Sequence, residues 1–148
     1  MRLNLQIRPG WSTPSARLAG VSAALATFLA LIPGAQAQIS ADAVKIGVLT
    51  DESGQFSDIG AAGSALAAQM VADDLGGTVQ GKPITIVHAD HQNKADIGSS
   101  IVRRWFDNDG VDAVVDLPFS SVALAAQEIA RNAKKTLLIA GAATSDLT

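Results

Sequence analysis

Cysteine and tyrosine are absent from this 148-residue sequence, and aromatic residues make up only 4% of it. Without cysteine the chain can form no disulfide bond, so its stability must come from packing. Without tyrosine, any polar binding site has to be built from hydroxyls, amides and backbone groups.

The first 37 residues have the layout of a secretory signal peptide. Three arginines (Arg2, Arg8 and Arg17) lie in this segment, an uncharged apolar run covers 18–32, and the small-residue site Ala35-Gln36-Ala37 follows. The apolar run of about 15 residues is shorter than the roughly 20 that span a bilayer core. A lipid anchor would need a cysteine at the cleavage point. We therefore predict cleavage after Ala37 and export of the mature chain to the periplasm.

Positive charge is scarce in the predicted mature chain. Because three of the 11 basic residues lie in the signal segment, eight basic residues face 14 acidic ones, a net charge of about −6. This balance argues against nucleic acid or an anionic membrane as a partner. The 111 residues that remain suffice for one domain with a core, but not for two.

Short apolar runs alternate with segments of helical periodicity along the mature chain. The predicted strands are 44–49, 84–87, 112–117 and 136–139. The predicted helices are 60–75, 93–107 and 120–133. Gly76-Gly77 should end the first helix, and Asn93 or Asp96 should cap the second. In the second helix Trp105 recurs on one face with Ile97 and Ile101, which places it in the core and not against a ligand.

Strands joined by single helices must run parallel, with right-handed crossovers. The sequence therefore predicts an α/β fold, with a parallel sheet and helices on both faces. Ligands of such sheets bind beyond the carboxyl ends of the strands. Four loops are predicted to share this edge, namely 51–58, 90–93, 118–121 and 141–145.

The third of these loops has the clearest chemistry. Ser120 and Ser121 stand between a predicted strand and a predicted helix, where free backbone N–H groups and the helix dipole favour a carboxylate or another anion. The alternative is that Ser120 caps its own helix. The fourth loop is similar, because small residues precede Thr144 and Ser145, either of which can donate a hydroxyl or cap a following helix.

Other chemistry is less well supported. Asp51 and Glu52 could form an acidic pocket or a metal site, but no further ligands are spaced for a metal, so solvated loop carboxylates are expected. His88 and His91 lack a third zinc ligand. A G-x-S-x-G hydrolase is not supported, because Ser64 and Ser99 lie inside predicted helices and Ser120 and Ser121 lack the flanking glycines. We expect no enzymatic activity, no metal and no cofactor.

The sequence resembles the type I periplasmic solute-binding proteins of the Leu/Ile/Val-binding kind, which are receptors of ATP-driven (ABC) importers. The residues that carry this resemblance are the run 45–50 (KIGVLT) with Ser53-Gly54 and Gly60, the turn 81–84 (GKPI), Ser120-Ser121 and the run 141–148 (GAATSDLT). The segments 90–96 (DHQNKAD), 104–107 (RWFD) and 122–125 (VALA) are similar to a branch that also captures aromatic acids.

The resemblance implies a set of ligand-binding residues. Ser120, Ser121, the backbone of Ala142 and the hydroxyl of Thr144 would bind the ligand carboxylate. In the first loop, Gln55, Phe56 and Ile59 would cover its apolar part. Amino-acid binders often have an aromatic residue at the position of Ile59, so this departure weakens the assignment of a branched-chain amino acid and leaves an aromatic or other small organic acid open.

The resemblance also bears on partners and on length. It implies a small carboxylate as ligand and an ABC permease in the inner membrane as partner. Family members close two lobes over the ligand, so residues 38–148 would form a partial N-terminal lobe, a fragment that binds weakly by itself. The alternatives are the extracellular domain of a signalling receptor and an exported hydrolase.

Overall fold

The computed structural model describes residues 42–147, except for the side chains of residues 61 and 62. The predicted signal peptide, residues 1–37, lies outside the described residues. No helix within 42–147 combines the length and the apolar character needed to cross a membrane.

Strands and helices alternate through the described residues. The strands are β1 (Val44–Thr50), β2 (Thr78–Val79), β3 (Lys82–Asp90), β4 (Ala113–Asp116) and β5 (Thr136–Ile139). The α-helices are α1 (Ala61–Asp74), α2 (Ala95–Asp107) and α3 (Ser120–Ala133), and a short 3₁₀ helix covers Ser145–Leu147. All four predicted strands and all three predicted helices are therefore present.

The five strands form one sheet in the order β2-β3-β1-β4-β5. β3 and β4 flank β1 in parallel, and β5 is parallel to β4. The carboxyl ends of these four strands consequently lie at one edge of the sheet, as predicted. The register places Thr50 beside Asp90 and Leu49 beside Asp116 at that edge.

The four predicted strands are parallel as expected, and β2 is an additional short strand that was not predicted. This strand pairs with β3 in antiparallel fashion, because the two are joined by a tight turn at Gln80 and Gly81. Both turn residues have positive φ angles, 51° and 77°, as a type I′ hairpin requires. The turn identified at 81–84 (GKPI) therefore lies earlier, at residues 80 and 81, and β3 begins at Lys82 instead of residue 84.

The helix ends were predicted with mixed success. α1 ends before Gly76 and Gly77, which have φ angles of 76° and 69° and whose N–H groups donate to carbonyls of the last turn, as predicted. The predicted cap of α2 was wrong, because the N-cap residue is Lys94 and no side chain caps this helix. Asp96 instead lies in the first turn, where its negative charge interacts favourably with the positive end of the helix dipole.

The core lies between the sheet and the face covered by α2 and α3. Trp105 is only 3% exposed and packs with Val102, Val111 and Val114, which confirms its predicted place in the core. Its ring lies against Gly47 of β1, where a Cβ atom would approach it to 2.5 Å. A larger residue at Gly47 would push the ring, and with it α2, away from the sheet.

Candidate functional site

Two loops meet at the carboxyl edge of β4 and β5. The loop after β5 packs directly against the loop after β4. Gly141 is so close to Pro118 that a Cβ atom added to Gly141 would lie 3.2 Å from the Cα of Pro118. The backbone N–H of Ala143 donates a hydrogen bond of 3.1 Å to the Oγ of Ser120. The structure thus brings Ser120 together with the backbone of the loop at Ala143.

Ser120 does not cap its own helix. The N-cap residue of α3 is Phe119, no side-chain cap hydrogen bond is present there, and Ser120 is the first residue of the helix. Its hydroxyl instead faces the loop after β5, and the alternative that it only caps α3 was wrong. While its oxygen accepts from Ala143, the hydroxyl keeps its own O–H to donate, as a carboxylate requires.

The other predicted carboxylate ligands are placed less favourably. Ser121 is exposed, one position further around the helix. The Oγ1 of Thr144 accepts a hydrogen bond of 3.3 Å from the N–H of Asp146, so this hydroxyl stabilises the start of the 3₁₀ helix. Ala142 is half-buried and packs against the core, and it directly precedes Ala143, whose N–H donates to Ser120.

The first loop reaches this site through Phe56. The rings of Phe56 and Phe119 lie 5.1 Å apart at an angle of 33°. Phe119 directly precedes Ser120, so the ring pair is joined to the start of α3. Gln55 is exposed and Ile59 is 72% exposed, so both lie on the surface of the loop. Phe119 was missed at the sequence level, although an aromatic beside a candidate serine is a usable signal in a chain so poor in aromatics.

The acidic residues of the first loop were predicted to be solvated, which is wrong for Asp51. Its side chain is 1% exposed, and its carboxylate accepts hydrogen bonds from the N–H groups of Gly54 and Phe56 at 2.7 and 3.1 Å. Glu52 is half-buried and its carboxylate is 2.6 Å from the Nδ1 of His88. Both side chains therefore organise the loop.

The two histidines play separate roles. His91 is buried, and its Nδ1 accepts the N–H of Asn93 at 2.9 Å while its ring meets Phe119 edge-on at 5.6 Å. His88, by contrast, lies on the exposed part of β3 with Glu52. Residues 42–147 contain no group of three side chains able to hold a metal ion.

Burial lowers the pKa of His91, and the nearby carboxylates of Asp51, Asp90 and Asp116 offset only part of this effect. Burial also raises the pKa of Asp90, but the hydrogen bonds from Ser53, Gln92 and Glu52 outweigh it, so the pKa of Asp90 is lowered. The two groups therefore influence stability in separate pH ranges.

Protonation of His91 should destabilise the fold in mild acid. Because its folded-state pKa lies below the ordinary value of 6.5, the unfolded chain binds this proton more tightly. The contribution of neutral His91 to the unfolding free energy is complete above about pH 6.5 and decreases as the pH falls below it. Urea unfolding midpoints should therefore fall more steeply between about pH 7.5 and 5.5 in the wild type than in His91→Asn.

The variant His91→Asn is a suitable reference because the side-chain carbonyl of an asparagine at this position can still accept the N–H of Asn93 and does not titrate. Asp90 does not interfere, since its lowered pKa makes its contribution decline only below about pH 3.8. Parallel pH profiles in the two proteins would contradict the assignment to His91.

A large apolar cavity lies away from Ser120, which is not among the residues that line it. It occupies about 610 Å³ between α1 and the sheet and is lined almost wholly by hydrocarbon. Val115 and Asp116 both line it, although successive residues of a regular strand point to opposite faces. The φ angle of 82° at Asp116 accounts for this. Because Asp116 is its one ionisable group, this cavity is a poor site for a carboxylate.

Comparison with known proteins matches this chain to periplasmic binding proteins. A protein-family profile described as "Periplasmic binding protein" matches residues 43–148. A periplasmic binding protein from Burkholderia mallei is 45% identical, with a TM-score of 0.69, over 72% of this chain and 28% of its own. A search of curated protein sequences found no significant match.

Two further solved structures contain ligands. The branched-chain amino acid binding protein LivJ from Streptococcus pneumoniae, in complex with isoleucine, is 28% identical, with a TM-score of 0.61, over 71% of this chain and 30% of its own. A solute-binding protein of an ABC transporter from Rhodopseudomonas palustris, in complex with 3,4-dihydroxybenzoic acid, is 25% identical, with a TM-score of 0.63, over 71% and 29%. The chain thus spans less than a third of the length of these relatives.

Proposed function

The chain belongs to the periplasmic binding protein family, and from this premise we propose that it takes part in capturing a small carboxylate for an ABC importer. The observation that carries the proposal is the hydrogen bond between Ser120 and Ala143, which joins a helix start to the adjacent loop at the carboxyl edge. The hydroxyl of Ser120 and the backbone of Ala142 and Thr144 are the proposed carboxylate ligands.

A carboxylate is favoured here by local electrostatics. The first N–H groups of α3 have no partner within the helix, and the positive end of its dipole lies at Ser120. No acidic residue lies in the first turn of α3. An anion would therefore meet hydrogen-bond donors without opposing charge from this helix, which is the usual arrangement of anion sites at helix starts.

The apolar part of the ligand is proposed to pack beside the rings of Phe56 and Phe119. Paired aromatic rings offer a flat apolar surface, which suits an aromatic acid and also accepts a branched aliphatic chain. The relatives that bind isoleucine and 3,4-dihydroxybenzoic acid show that the family accommodates both chemistries. We place an aromatic acid first, with a branched-chain amino acid as the second candidate.

The wider role follows the family. We propose that residues 1–37 are a signal peptide cleaved after Ala37, that the protein works in the periplasm, and that it delivers its ligand to a permease in the inner membrane. The arginines and the apolar run of the first 37 residues support export. We propose no catalytic step.

A thermal-shift screen tests this proposal. The intact protein that carries this sequence is heated with branched-chain amino acids, benzoate and hydroxylated benzoates. A ligand at about 100 times its Kd stabilises the folded state by about 2.7 kcal/mol, so a true ligand should raise Tm by several degrees. Amides of the same compounds serve as controls that lack the carboxylate. If no carboxylate raises Tm, the proposed function fails.

A further inference from the structure

The loop between β1 and α1, residues 51–60, has no regular secondary structure, yet it must hold Phe56 at a defined place. We name these residues the ligand loop, because they carry the predicted contacts Gln55, Phe56 and Ile59. Two backbone hydrogen bonds join residues three apart, from the N–H of Ser57 to the carbonyl of Gly54 and from the N–H of Ile59 to the carbonyl of Phe56. They give the loop only local turns. Its position must therefore be set by side chains.

Asp51 is the most buried side chain of the ligand loop. It stands directly after β1, and its carboxylate points into the loop, with Oδ1 accepting the N–H of Gly54 and Oδ2 that of Phe56. A Cβ atom at Gly54 would lie 2.2 Å from Oδ1 and 2.6 Å from Oδ2. The loop thus closes so tightly around this carboxylate that only glycine fits at position 54.

Asp90 holds the start of the loop from the neighbouring strand. Its Oδ1 accepts the N–H of Glu52 at 3.0 Å and that of Gln92 at 2.8 Å, while its Oδ2 accepts the hydroxyl of Ser53 at 2.5 Å. Asp90 therefore anchors residues 52 and 53 to the end of β3. Only Asp51 reaches further, to the residue that carries the aromatic ring.

The consequence concerns the ring pair. Because the N–H of Phe56 is bonded to a carboxylate fixed at the end of β1, the Phe56 ring is placed against Phe119, which is bound in turn to the start of α3. The contacts run from Asp51 through Phe56 to Phe119, the residue that precedes Ser120 in the chain. Hydrogen bonds to an ionised acceptor are about twice as strong as neutral ones, so the charge of Asp51 matters for this link.

We propose that Asp51 is a positioning residue for ligand recognition, which holds the ring of Phe56 against Phe119, where it can meet the ligand's apolar part, without touching the ligand itself. This inference rests on the proposed function, since it assigns the ligand's apolar part to Phe56. It distinguishes Asp51 from Asp58, an exposed carboxylate at the far end of the same loop.

The test is a double-mutant cycle in the intact protein, with 3,4-dihydroxybenzoate and isoleucine as titrants. Phe56→Ala should weaken binding of the preferred titrant about tenfold, because the ring buries apolar surface of the ligand. Asp51→Asn should give a similar loss, and the double variant should lose little more than either single one, because both changes remove the same contact. Asp58→Asn, the matched control, should bind like the wild type.

Several outcomes would overturn the inference. If Asp51→Asn binds with wild-type affinity, the inference is refuted. It is also refuted if the losses of the two single variants add in the double variant, because additive losses would indicate general destabilisation. If Asp51→Asn does not fold, Gly54→Ala probes the same contact from the other side and should show the same non-additive loss with Phe56→Ala. If the wild type binds neither titrant and no carboxylate of the thermal screen, the proposed function itself is refuted.

Discussion

Replacing Trp105 by alanine is expected to lower the free energy of unfolding by about 3–5 kcal/mol, the usual cost of deleting a buried large aromatic side chain. The ring fills the space between α2 and β1, where Gly47 leaves no side chain of its own. Val102, Val111 and Val114 complete its surroundings. These residues belong to separate elements, so they cannot all move inward to fill the cavity, and the loss should fall at the upper end of that range.

Urea unfolding of Trp105→Ala, followed by circular dichroism, measures this loss. Because domains are stable by only about 5–15 kcal/mol, the variant should unfold at a much lower urea concentration. Leu66→Ala on α1 is the control, since Leu66 is 62% exposed and its truncation should cost less than about 1 kcal/mol. A comparably small loss in Trp105→Ala would contradict the described core.

Ser120→Ala is expected to weaken carboxylate binding by about 1–3 kcal/mol, or roughly 5- to 150-fold, because a hydrogen bond to a charged group is lost and the anion is left without that partner. The substitution also removes the acceptor of the N–H of Ala143, so the loop after β5 loses this hydrogen bond to α3. Both effects act on the proposed site and leave the core untouched. Titration calorimetry on the intact protein measures the change.

Ser100→Ala provides the matched control for this substitution. Ser100 is an exposed residue of α2 whose hydroxyl donates only to the carbonyl of Asp96, one turn earlier. Its truncation should leave ligand affinity within about twofold of the wild type, because surface substitutions away from a site have small effects. Unchanged affinity in Ser120→Ala would remove this residue from the proposed site.

Much of the fold could be predicted because hydrophobic periodicity decides it. β5 was predicted with the correct bounds, and so was α3, since the first is a short apolar run and the second shows a clear helical periodicity. Trp105 was placed in the core from its spacing alone. The parallel order of the main strands followed from the helices between them, and with it the edge at which the candidate site lies.

The remaining features depend on contacts that periodicity does not record. β2 has only two residues, too few for any pattern, and its pairing with β3 depends on the φ angles of a Gln-Gly turn. Asp51 was expected in water because carboxylates usually are. It is buried because two backbone N–H groups of its own loop converge on it. The direction of the Ser120 hydroxyl likewise depends on a loop 23 residues further along the chain.

The central claim is that a small carboxylate binds at the carboxyl edge of the sheet, beside Ser120. A crystal structure of the intact protein, with a carboxylate that raises its Tm, tests this most directly. We predict a ligand carboxylate oxygen about 3 Å from the Oγ of Ser120 and within hydrogen-bond distance of a backbone N–H of residues 142–144. A ligand bound instead in the apolar cavity under α1, or elsewhere with no contact to Ser120, would contradict the account.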